Sequence, residues 1–576
     1  MTTFVAKELS RTLGTELTIG KIDIGLLNRI IIDDVLLDDQ SGKEMLKITR
    51  LSAKFDIIPL FNGKIAISSV QLFGFNINLN KPTPNTDPNF KFVLDAFASK
   101  DTVKTDKSLD LRINSILIRR GKLAYDVLSE KETPGKFNPQ HVKLHNIIAN
   151  ISLKALQGDS INAAIKRLSV DEQSGFELRK LSLKVIANDR GMKIENFAIE
   201  MPGTEMKMDT IRMEYDSLGA LNHFADEVRF SFRTLPSYVT LNDISAFVPA
   251  LSNFKEKLDL GIDVEGTLNQ LNCKTLEINA GDKFRLKGDV SLQDLSRPQD
   301  AYVYGHLANL SANNDGIGFL VRNLSPHYNG VPPILQRLGN ASFHGEISGY
   351  FTDLVMYGLF RTNIGSVQTD LKLSSDKAKA LFSYSGGVKT TDFELGQLLD
   401  NKQLGKITFN LNVQGSHYRN QYPAITLKGL IAALEYSNYK YENITLDGEF
   451  ERGGFDGKVA LDDENGSIHL NGNINVVEKI PTFNFNAVID KVRPHDLNLT
   501  KDYPDAEFSL KLKANFRGGS IDEMIGEINI DSLQFTAPEK NYFLDNINII
   551  ATRQDKQNQL KLTSSFLKAS IEGNYL

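Results

Sequence analysis

One short pattern recurs along the chain and constrains its fold more than any other feature. Apolar residues occupy every second position, and a glycine takes one of these places. Because successive side chains of a β-strand point to opposite faces, the apolar residues and the glycine share one face. The clearest copies are Phe284-Leu286-Gly288-Val290, Ile444-Leu446-Gly448-Phe450 and Ile468-Leu470-Gly472-Ile474, with a looser copy at Phe343-Gly345-Ile347-Gly349 and a final one at Ala569-Ile571-Gly573-Tyr575.

The pattern predicts a mainly β protein. Many further segments alternate in the same way, and the irregular spacing of the motif glycines disfavours a solenoid of fixed period. We expect an elongated, curved β-sheet that grows by adding similar strands, together with a few short helices. Apolar residues at helical spacing predict these helices at Phe4–Leu13, Phe90–Phe97, Asn242–Leu258, Ile334–Leu338 and Leu395–Leu399.

A change of composition at residues 81–108 suggests a domain boundary. Pro82, Pro84 and Pro88 interrupt any strand ladder, and a short helix and a polar loop follow them. We therefore predict an N-terminal β region with short helices at residues 1–108 and a repeating β region at 109–576. The final strand stops at Leu576 without a cap, so we expect the native protein to continue beyond it.

Glycine-containing pairs and acidic pairs predict turns and strand ends. Turns are expected at Asn62-Gly63, Gly386-Gly387, Asp456-Gly457 and Asn465-Gly466. The acidic pair Asp33-Asp34 is expected to interrupt a strand.

Composition argues against several classes of function. The net charge of −5 disfavours a nucleic-acid-binding protein. The single Cys273 excludes an intramolecular disulfide and a thiolate metal cluster, and it is expected to be a small buried residue. The sequence has no run of about 18 apolar residues, so we predict no membrane-spanning helix in it.

No motif in the sequence predicts catalysis. The segment Gly453–Lys458 has the wrong spacing for a phosphate loop and is expected to be a hairpin turn. His141 and His145 are expected to lie on the surface, and the carboxylates at Asp33-Asp34, Asp38-Asp39 and Asp462–Glu464 to be solvated turns. We predict no enzyme activity, no cofactor and no metal site; a β-rich hydrolase is the weakest alternative.

The repeated apolar face permits two interpretations. It is either the core of a closed sandwich, packed against a second sheet, or the partly unfilled face of a curved sheet that holds an apolar ligand. The glycines agree with the second interpretation, because a glycine on a strand face permits curvature or the close approach of another group.

Three segments resemble AsmA-like proteins, and among them the TamB family, the inner-membrane component of the translocation and assembly module. The first runs from Asp56 to Ile67 and continues through Val70 and Leu72. The other two are Phe393-Glu394-Leu395-Gly396 with Leu404–Ile407, and Asn515–Asp522 with Gly526-Glu527-Ile528. The likeness covers most of the chain.

The resemblance implies a periplasmic chain that an N-terminal helix anchors in the inner membrane. It implies a taco-like β-groove with an apolar interior, transport of phospholipid between the inner and outer membranes, and a BamA-like outer-membrane barrel as partner. The anchor helix would precede Thr2, and the domain that meets the barrel would follow Leu576. Both therefore lie outside this sequence.

Together these observations predict a lipid groove with two sets of residues. The alternative is an interaction scaffold that assembles outer-membrane proteins by adding strands at its sheet edge. The predicted groove-shaping glycines are Gly288, Gly345, Gly448, Gly472 and Gly573. The predicted lining residues are Phe284, Leu286, Val290, Phe343, Ile347, Ile444, Leu446, Phe450, Ile468, Leu470, Ile474 and Ile571.

Overall fold

The structure is a computed structural model, and it is mainly β with a few short helices, as the alternating pattern predicts. It describes the chain except residue 1 and residues 26–27, 56–66, 98–113, 158–159, 325–329, 377–380, 419–423, 478, 555–556 and 574–576. Two compact units are present. Unit 1 comprises Met1–Ser296 and Phe319–Asn329, and unit 2 comprises Arg297–Gly318 and Gly330–Leu576. The predicted boundary at residue 108 falls outside the described residues.

Among the residues that the structure describes, unit 1 contains sixteen strands and three α-helices of its own. The helices are α1 (Thr2–Leu13), α2 (Lys91–Phe97) and α3 (Phe224–Glu227). The strands are β1 (Leu17–Gly25), β2 (Arg29–Asp38), β3 (Glu44–Phe55), β4 (Ile67–Lys81), β5 (Ser115–Val127), β6 (His141–Gln157), β7 (Ser160–Glu172), β8 (Glu177–Ala187), β9 (Gly191–Met201), β10 (Thr204–Lys207), β11 (Ile211–Glu214), β12 (Arg229–Arg233), β13 (Ser237–Val239), β14 (Leu258–Thr267), β15 (Gln270–Ala280) and β16 (Phe284–Gln293).

Within the described part of unit 1, strand pairing is antiparallel with one exception. β4 and β5 are parallel, so the chain between them must cross back along the sheet, and α2 lies in this crossover. The strand β2 runs through Asp33 and Asp34, so the predicted interruption is wrong. Asp34 instead has a φ of 55°, and the acidic pair makes only a local irregularity inside the strand.

The helices α1 and α2 cover one end of the sheet in unit 1. Leu13 of α1 is buried in one cluster with Leu17, Leu37 and Met45 of the first three strands, and Val93 of α2 packs against it. The predicted helix at Phe4–Leu13 is confirmed, and Gly14 ends it with a φ of 67°, a value that glycine adopts readily. The cluster is a small helix-on-sheet core.

The helix predicted at Asn242–Leu258 is wrong. The segment forms two short 3₁₀ turns, Leu241–Ile244 and Pro249–Leu251, before β14 begins. Pro249 has no backbone N–H to continue a helix. The Asn242 side chain does not cap a helix either, because its Nδ2 donates to the Ser252 carbonyl at 2.6 Å.

Unit 2 is an antiparallel series in which each strand pairs with the next one along the chain. The helix α4 (Asn314–Leu324) contributes residues to both units, and α5 (Pro333–Arg337) and α6 (Leu395–Leu399) confirm two predicted helices. The strands are β17 (Tyr302–Ala312), β18 (Ala341–Tyr350), β19 (Asp353–Thr362), β20 (Gly365–Asp376), β21 (Leu381–Glu394), β22 (Leu404–Tyr418), β23 (Ala424–Tyr436), β24 (Tyr439–Glu451), β25 (Gly454–Asp463), β26 (Gly466–Asn475), β27 (Thr482–Val492), β28 (Glu507–Arg517), β29 (Ile525–Ala537), β30 (Lys540–Gln554), β31 (Gln557–Thr563) and β32 (Lys568–Glu572).

Two of the predicted turns in unit 2 lie inside strands. Gly386-Gly387 belongs to β21 and Asp456-Gly457 to β25, so these predictions are wrong. Gly386 and Gly457 have φ values of 143° and 154°, and a Cβ on either would lie within 2.4 Å of a carbonyl oxygen on the neighbouring strand. These glycines permit close strand contact and not chain reversal. The turn at Asn465-Gly466 is confirmed, and Asn62-Gly63 lies outside the described residues.

Among the described residues, no helix combines the length and the apolar character needed to cross a membrane.

Candidate functional site

The predicted lining residues lie on five strands and in both units. In unit 1, Phe284, Leu286 and Val290 of β16 pair with Ala280, Ile278 and Cys273 of β15, and paired residues share a face. The remaining lining residues are in unit 2: Phe343 and Ile347 on β18, Ile444, Leu446 and Phe450 on β24, Ile468, Leu470 and Ile474 on β26, and Ile571 on β32.

Strand register in unit 2 connects all of these unit 2 residues except Ile571, which is 52% exposed, into four continuous rows. Each row crosses the thirteen strands from β18 to β30, and we name it by its residue on β24. The Ile444 row is Phe343, Phe360, Val367, Thr390, Phe409, Ile431, Ile444, Leu461, Ile468, Ile489, Leu510, Leu533 and Leu544. The Leu446 row is Gly345, Gly358, Thr369, Val388, Leu411, Gly429, Leu446, Val459, Leu470, Ala487, Leu512, Ile530 and Ile547.

The other two rows continue the same face toward the opposite ends of the strands. The Gly448 row is Ile347, Met356, Leu371, Gly386, Val413, Leu427, Gly448, Gly457, Gly472, Phe485, Ala514, Ile528 and Ile549. The Phe450 row is Gly349, Leu354, Leu373, Tyr384, Gly415, Ile425, Phe450, Phe455, Ile474, Phe483, Phe516, Gly526 and Ala551. We call the four rows together the apolar track.

The apolar track contains almost no free hydrogen-bonding groups. Its two threonines are buried, and each hydroxyl donates to a backbone carbonyl: Thr369 to Gly358 at 3.3 Å and Thr390 to Ser366 at 2.6 Å. Burial also raises the pKa of Tyr384, the one tyrosine in the rows, so its hydroxyl stays neutral. The track is therefore uncharged across all four rows.

Most side chains of the apolar track are half-buried. Leu446 is 9% exposed and Phe450 is 37% exposed, although both lie on the same face of β24. Asp447 and Glu449, which lie between them on the other face of the strand, are exposed. A second sheet packed on this face would bury the apolar side chains more completely. The apolar side chains of this face are therefore partly covered by adjacent side chains of the same face. They are less buried than the core of a β-sandwich would be.

The motif glycines of unit 2 leave room for neighbouring strands and rings. A Cβ on Gly448 would lie 2.3 Å from the Phe455 ring, and one on Gly345 would lie 2.2 Å from the Tyr357 carbonyl oxygen. Gly472 has a φ of 148°, which only glycine adopts without strain. Gly573 differs, because it follows β32 and a Cβ there would meet nothing within 4 Å. In unit 1, Gly288 of β16 pairs with Leu276, beside an irregular step in the register.

One rim of the apolar track is closed by a wall that packs on the Ile444 row. At β20–β23, Leu338, Leu395 and Leu398 from the helical segments join a buried cluster that includes Phe393 and Ile407. The Arg337 guanidinium ties α5 to α6, donating to the Leu398 carbonyl and to Asp400, both at 3.1 Å.

Farther along the same rim, the segment between β27 and β28 continues the wall. Leu497 is fully buried against Tyr441, Leu461 and Val492, and the Tyr441 hydroxyl donates to its carbonyl at 2.7 Å. Burial, followed by a hydrogen bond to Asp463, raises the pKa of Tyr439 to about 12. The Tyr439 and Tyr441 hydroxyls of this rim therefore form hydrogen bonds within the wall.

The opposite rim, beside the Phe450 row, has no such wall among the described residues. Its turns present large apolar side chains to solvent. Their exposed fractions are 52% for Phe351, 68% for Val477 and 53% for Ile521. Val476 and Ile480 are more than half exposed on the same rim. The apolar track is thus walled at one rim and open at the other.

The reverse face of unit 2 carries charged and polar side chains, with some exposed apolar ones among them. One row there pairs Asn412, Lys428, Asp447, Lys458 and Asn471 across successive strands. The Lys428 ammonium lies 2.7 Å from the Asp447 carboxylate. A depression of about 670 Å³ lies on this face around the same row. Its lining combines the charged side chains of this row with the exposed apolar side chains Leu430 and Val488.

His141 is buried, which corrects the prediction that it lies on the surface. Its ring nitrogens face the Asp126 carboxylate at 2.9 Å and the Glu130 carbonyl at 3.0 Å. The hydrogen bond to Asp126 raises the pKa of His141. Asp126, Glu132 and His141 could together ligate a cation, but Glu132 pairs with Lys143 at 3.1 Å. With both ring nitrogens and Glu132 engaged, the residues fit an imidazolium better than a metal ion.

The other polar residues considered from the sequence serve local structure. Asp39, predicted to lie in a solvated turn, is instead buried and accepts hydrogen bonds from Ser41 and from the Lys43 backbone N–H. Cys273 is buried as predicted, and burial raises the pKa of its thiol. Asp33 pairs with Arg50, whose hydrogen bond lowers the pKa of the carboxyl. His145 is exposed, as expected. Arg452-Gly453 forms the predicted hairpin turn, although Gly454 and the residues after it belong to β25.

Sequence reasoning missed the wall and several strands of the apolar track. The track strands β27, β28 and β30 carry plain alternation without a glycine, for example Phe483-Phe485-Ala487-Ile489, whereas β23 carries a further copy of the motif, Ile425-Leu427-Gly429-Ile431. Counting alternation without requiring a glycine would have found them. Leu497 and Leu338 lie outside any strand, and no periodic signal marks them as packing on the sheet.

In comparisons with protein-family models, curated proteins and solved structures, nothing matches this chain.

Proposed function

We propose that the chain carries phospholipid along the apolar track, as a periplasmic segment of an AsmA-like protein of the TamB family that moves lipid between the inner and outer membranes. The single observation that carries the proposal is the continuity of four apolar rows across thirteen strands. Such transport supports assembly of the outer membrane. It requires a continuous surface and no catalytic residue.

The energetics of lipid transfer favour such a surface. Each methylene removed from water is worth about 0.8 kcal/mol, so a two-chain phospholipid in water faces a barrier of roughly 20 kcal/mol or more. An apolar surface that the acyl chains follow lowers this barrier along the whole path. Strands lie about 4.8 Å apart, so the thirteen strands β18–β30 provide a path of about 58 Å.

The geometry of the track suits acyl chains. Adjacent residues of one face are about 6.7 Å apart along a strand, so the four rows span about 20 Å. The hydrocarbon of one bilayer leaflet is about 15 Å deep, half of the roughly 30 Å core. The track is therefore wide enough for an acyl chain to lie along the strands.

Photo-crosslinking in cells tests the proposal. A photoreactive residue at Leu470, on the track, should capture phospholipid, whereas one at Asn471, the adjacent residue on the polar face, should not. Both positions lie on β26, so the comparison holds the strand constant. Equal capture at the two positions would contradict transport on the track. Native mass spectrometry of the purified chain should also show retained phospholipid.

The scaffold alternative, assembly or secretion of outer-membrane proteins with a BamA-like barrel, is favoured by one observation. Within the described residues, β1 pairs only with β2, so its outer edge has backbone groups available for another strand. Crosslinks from β1 to nascent barrel proteins, insensitive to polar substitutions on the apolar track, would support this function over lipid transport.

A further inference from the structure

We infer that phospholipid lies along the strands of unit 2 with its acyl methyl ends at the walled rim and its phosphate at the open rim. The inference rests on the proposed function and adds an orientation to it. It names which rim of the track each end of the lipid occupies.

The two rims differ in what they offer to an amphiphile. At the walled rim, the cluster around Leu497 and the cluster around Phe393 close the track with packed hydrocarbon. A phosphate placed there would lose its hydration without a compensating partner, which is costly. An acyl methyl end placed there gains apolar contact.

The open rim leaves the headgroup in water. Phe450 is 37% exposed, and the turns beyond its row are solvent-accessible. A lipid whose acyl chains extend onto the track from this side keeps its headgroup at the boundary between the track and water.

Charge agrees with this direction. Arg553 lies on β30 two residues after Ala551, on the track face and beyond the Phe450 row, and it is exposed. Arg452 occupies the turn immediately after β24 on the same rim. On the walled rim, Asp462 and Asp463 end β25, and Glu464 follows in the turn. A lipid phosphate is attracted to Arg553 at the open rim and gains no cation from this acidic segment of the walled rim.

Dimensions agree as well. The distance of about 20 Å across the rows exceeds the roughly 15 Å depth of one leaflet's hydrocarbon. An acyl chain that starts at the Phe450 row therefore ends between the Leu446 row and the Ile444 row, so its methyl end lies closer to the walled rim than its glycerol does.

The chain contains no tryptophan, which permits a direct test. Single variants replace one aromatic ring by another in each row: Phe450→Trp and Phe483→Trp in the Phe450 row, and Phe360→Trp and Phe409→Trp in the Ile444 row. Tyr357→Trp, on the polar face and 53% exposed, serves as the control. Each full-length chain is loaded with phosphatidylcholine brominated either near the glycerol or near the acyl methyl ends, and loading is verified by mass spectrometry.

The expected result is a crossed pattern of quenching. Bromine near the glycerol should cause the larger loss of fluorescence in Phe450→Trp and Phe483→Trp. Bromine near the methyl ends should cause the larger loss in Phe360→Trp and Phe409→Trp, and Tyr357→Trp should lose little with either lipid. Two positions per row guard against one variant that fails to fold, which circular dichroism would reveal.

Other outcomes overturn the inference in distinguishable ways. The reversed pattern would place the phosphate at the wall. Equal quenching by both lipids at all four track positions would mean that the chains lie along the rows, across the strands; lipid transport would then stand without this orientation. Retained lipid that quenches none of the four positions, or no retained lipid, would overturn the proposed function together with the orientation.

Discussion

The first strands of unit 1 and the strands of unit 2 carry the same alternating pattern but differ in what covers their apolar face. In unit 1, α1 and α2 pack on one end of β1–β4 and bury Leu13, Leu37 and Met45. In unit 2, the wall packs on the Ile444 row, and most side chains of the rows beyond it are half-buried, although Leu411 and Leu446 are buried. The same strand pattern therefore gives a small core in one place and an accessible surface in another.

The segments that cover the sheet, and not the strands themselves, therefore determine whether each apolar face is a core or an accessible surface. A strand face with apolar residues at every second position needs a partner. Helices provide that partner in unit 1. In unit 2 we propose that lipid provides it. Substitutions that affect packing should therefore act differently in the two regions.

The largest effect is expected from Leu37→Ala in the covered region. Leu37 is 5% exposed, and truncation of such a residue leaves a cavity that costs about 3 kcal/mol. Hydrogen exchange of β1–β3 peptides should then accelerate by about 100-fold, because 1.4 kcal/mol corresponds to tenfold. Leu94→Ala on α2, where the side chain is 61% exposed, should change exchange little. Equal effects would show that α1 and α2 do not make a core.

A smaller effect is expected from Gly472→Ala on the open track. The φ of 148° and the Asn484 carbonyl oxygen, 2.2 Å from the added Cβ, predict a cost of about 2 kcal/mol from strain. Faster exchange in β26 and β27 would report it. Gly387→Ala is the matched control, since the nearest atom to its added Cβ would be the Asn412 side-chain oxygen at 3.9 Å. Similar hydrogen exchange in the two variants would show that position 472 does not require glycine.

Leu470→Asn should separate function from stability. Because Leu470 is only half-buried, we expect a loss of about 1 kcal/mol in local stability, less than for a buried leucine. Retained phospholipid, measured by native mass spectrometry, should nevertheless fall. Asn471→Ser on the polar face should leave retention unchanged. If retention does not change in Leu470→Asn, the track is not the lipid path.

The smallest effect is expected in unit 1, where the His141 side chain contacts the loop between β5 and β6. The groups that face it are Asp126, Glu132, Lys143 and the Glu130 carbonyl. Because folding raises the pKa of His141 above its ordinary value of 6.5, the stabilisation is complete below that pH. It is lost as the pH rises through the folded-state pKa.

The His141→Gln variant tests this pH dependence. After correction for intrinsic rates, the amide hydrogen exchange of residues 128–140 should be compared between the variant and the wild-type protein. The difference between the two should be largest below pH 6.5 and should shrink at higher pH. His469→Gln is the control, because His469 is exposed beside Asp462. A difference that grows with pH would show that the neutral imidazole is the stabilising form.

Much of the fold could be predicted from local pattern. The helices at Phe4–Leu13 and Leu395–Leu399 and the strands around Leu286, Leu446 and Leu470 follow from spacing alone. The failures came from competing local interactions. Pro249 and the Asn242 side chain produce two 3₁₀ turns in place of a helix, and Gly386 and Gly457 serve strand contact instead of turns.

The sequence by itself determined the two faces of each strand, because side chains alternate wherever the backbone is extended. It could not determine the register that joins Ile444 to Leu461 and Ile468, since pairing depends on residues far apart in the chain. Nor could it show that Leu497, from a segment without periodicity, closes one rim while Val477 stays exposed at the other. Only tertiary packing decided which part of the apolar face is covered and which part is open.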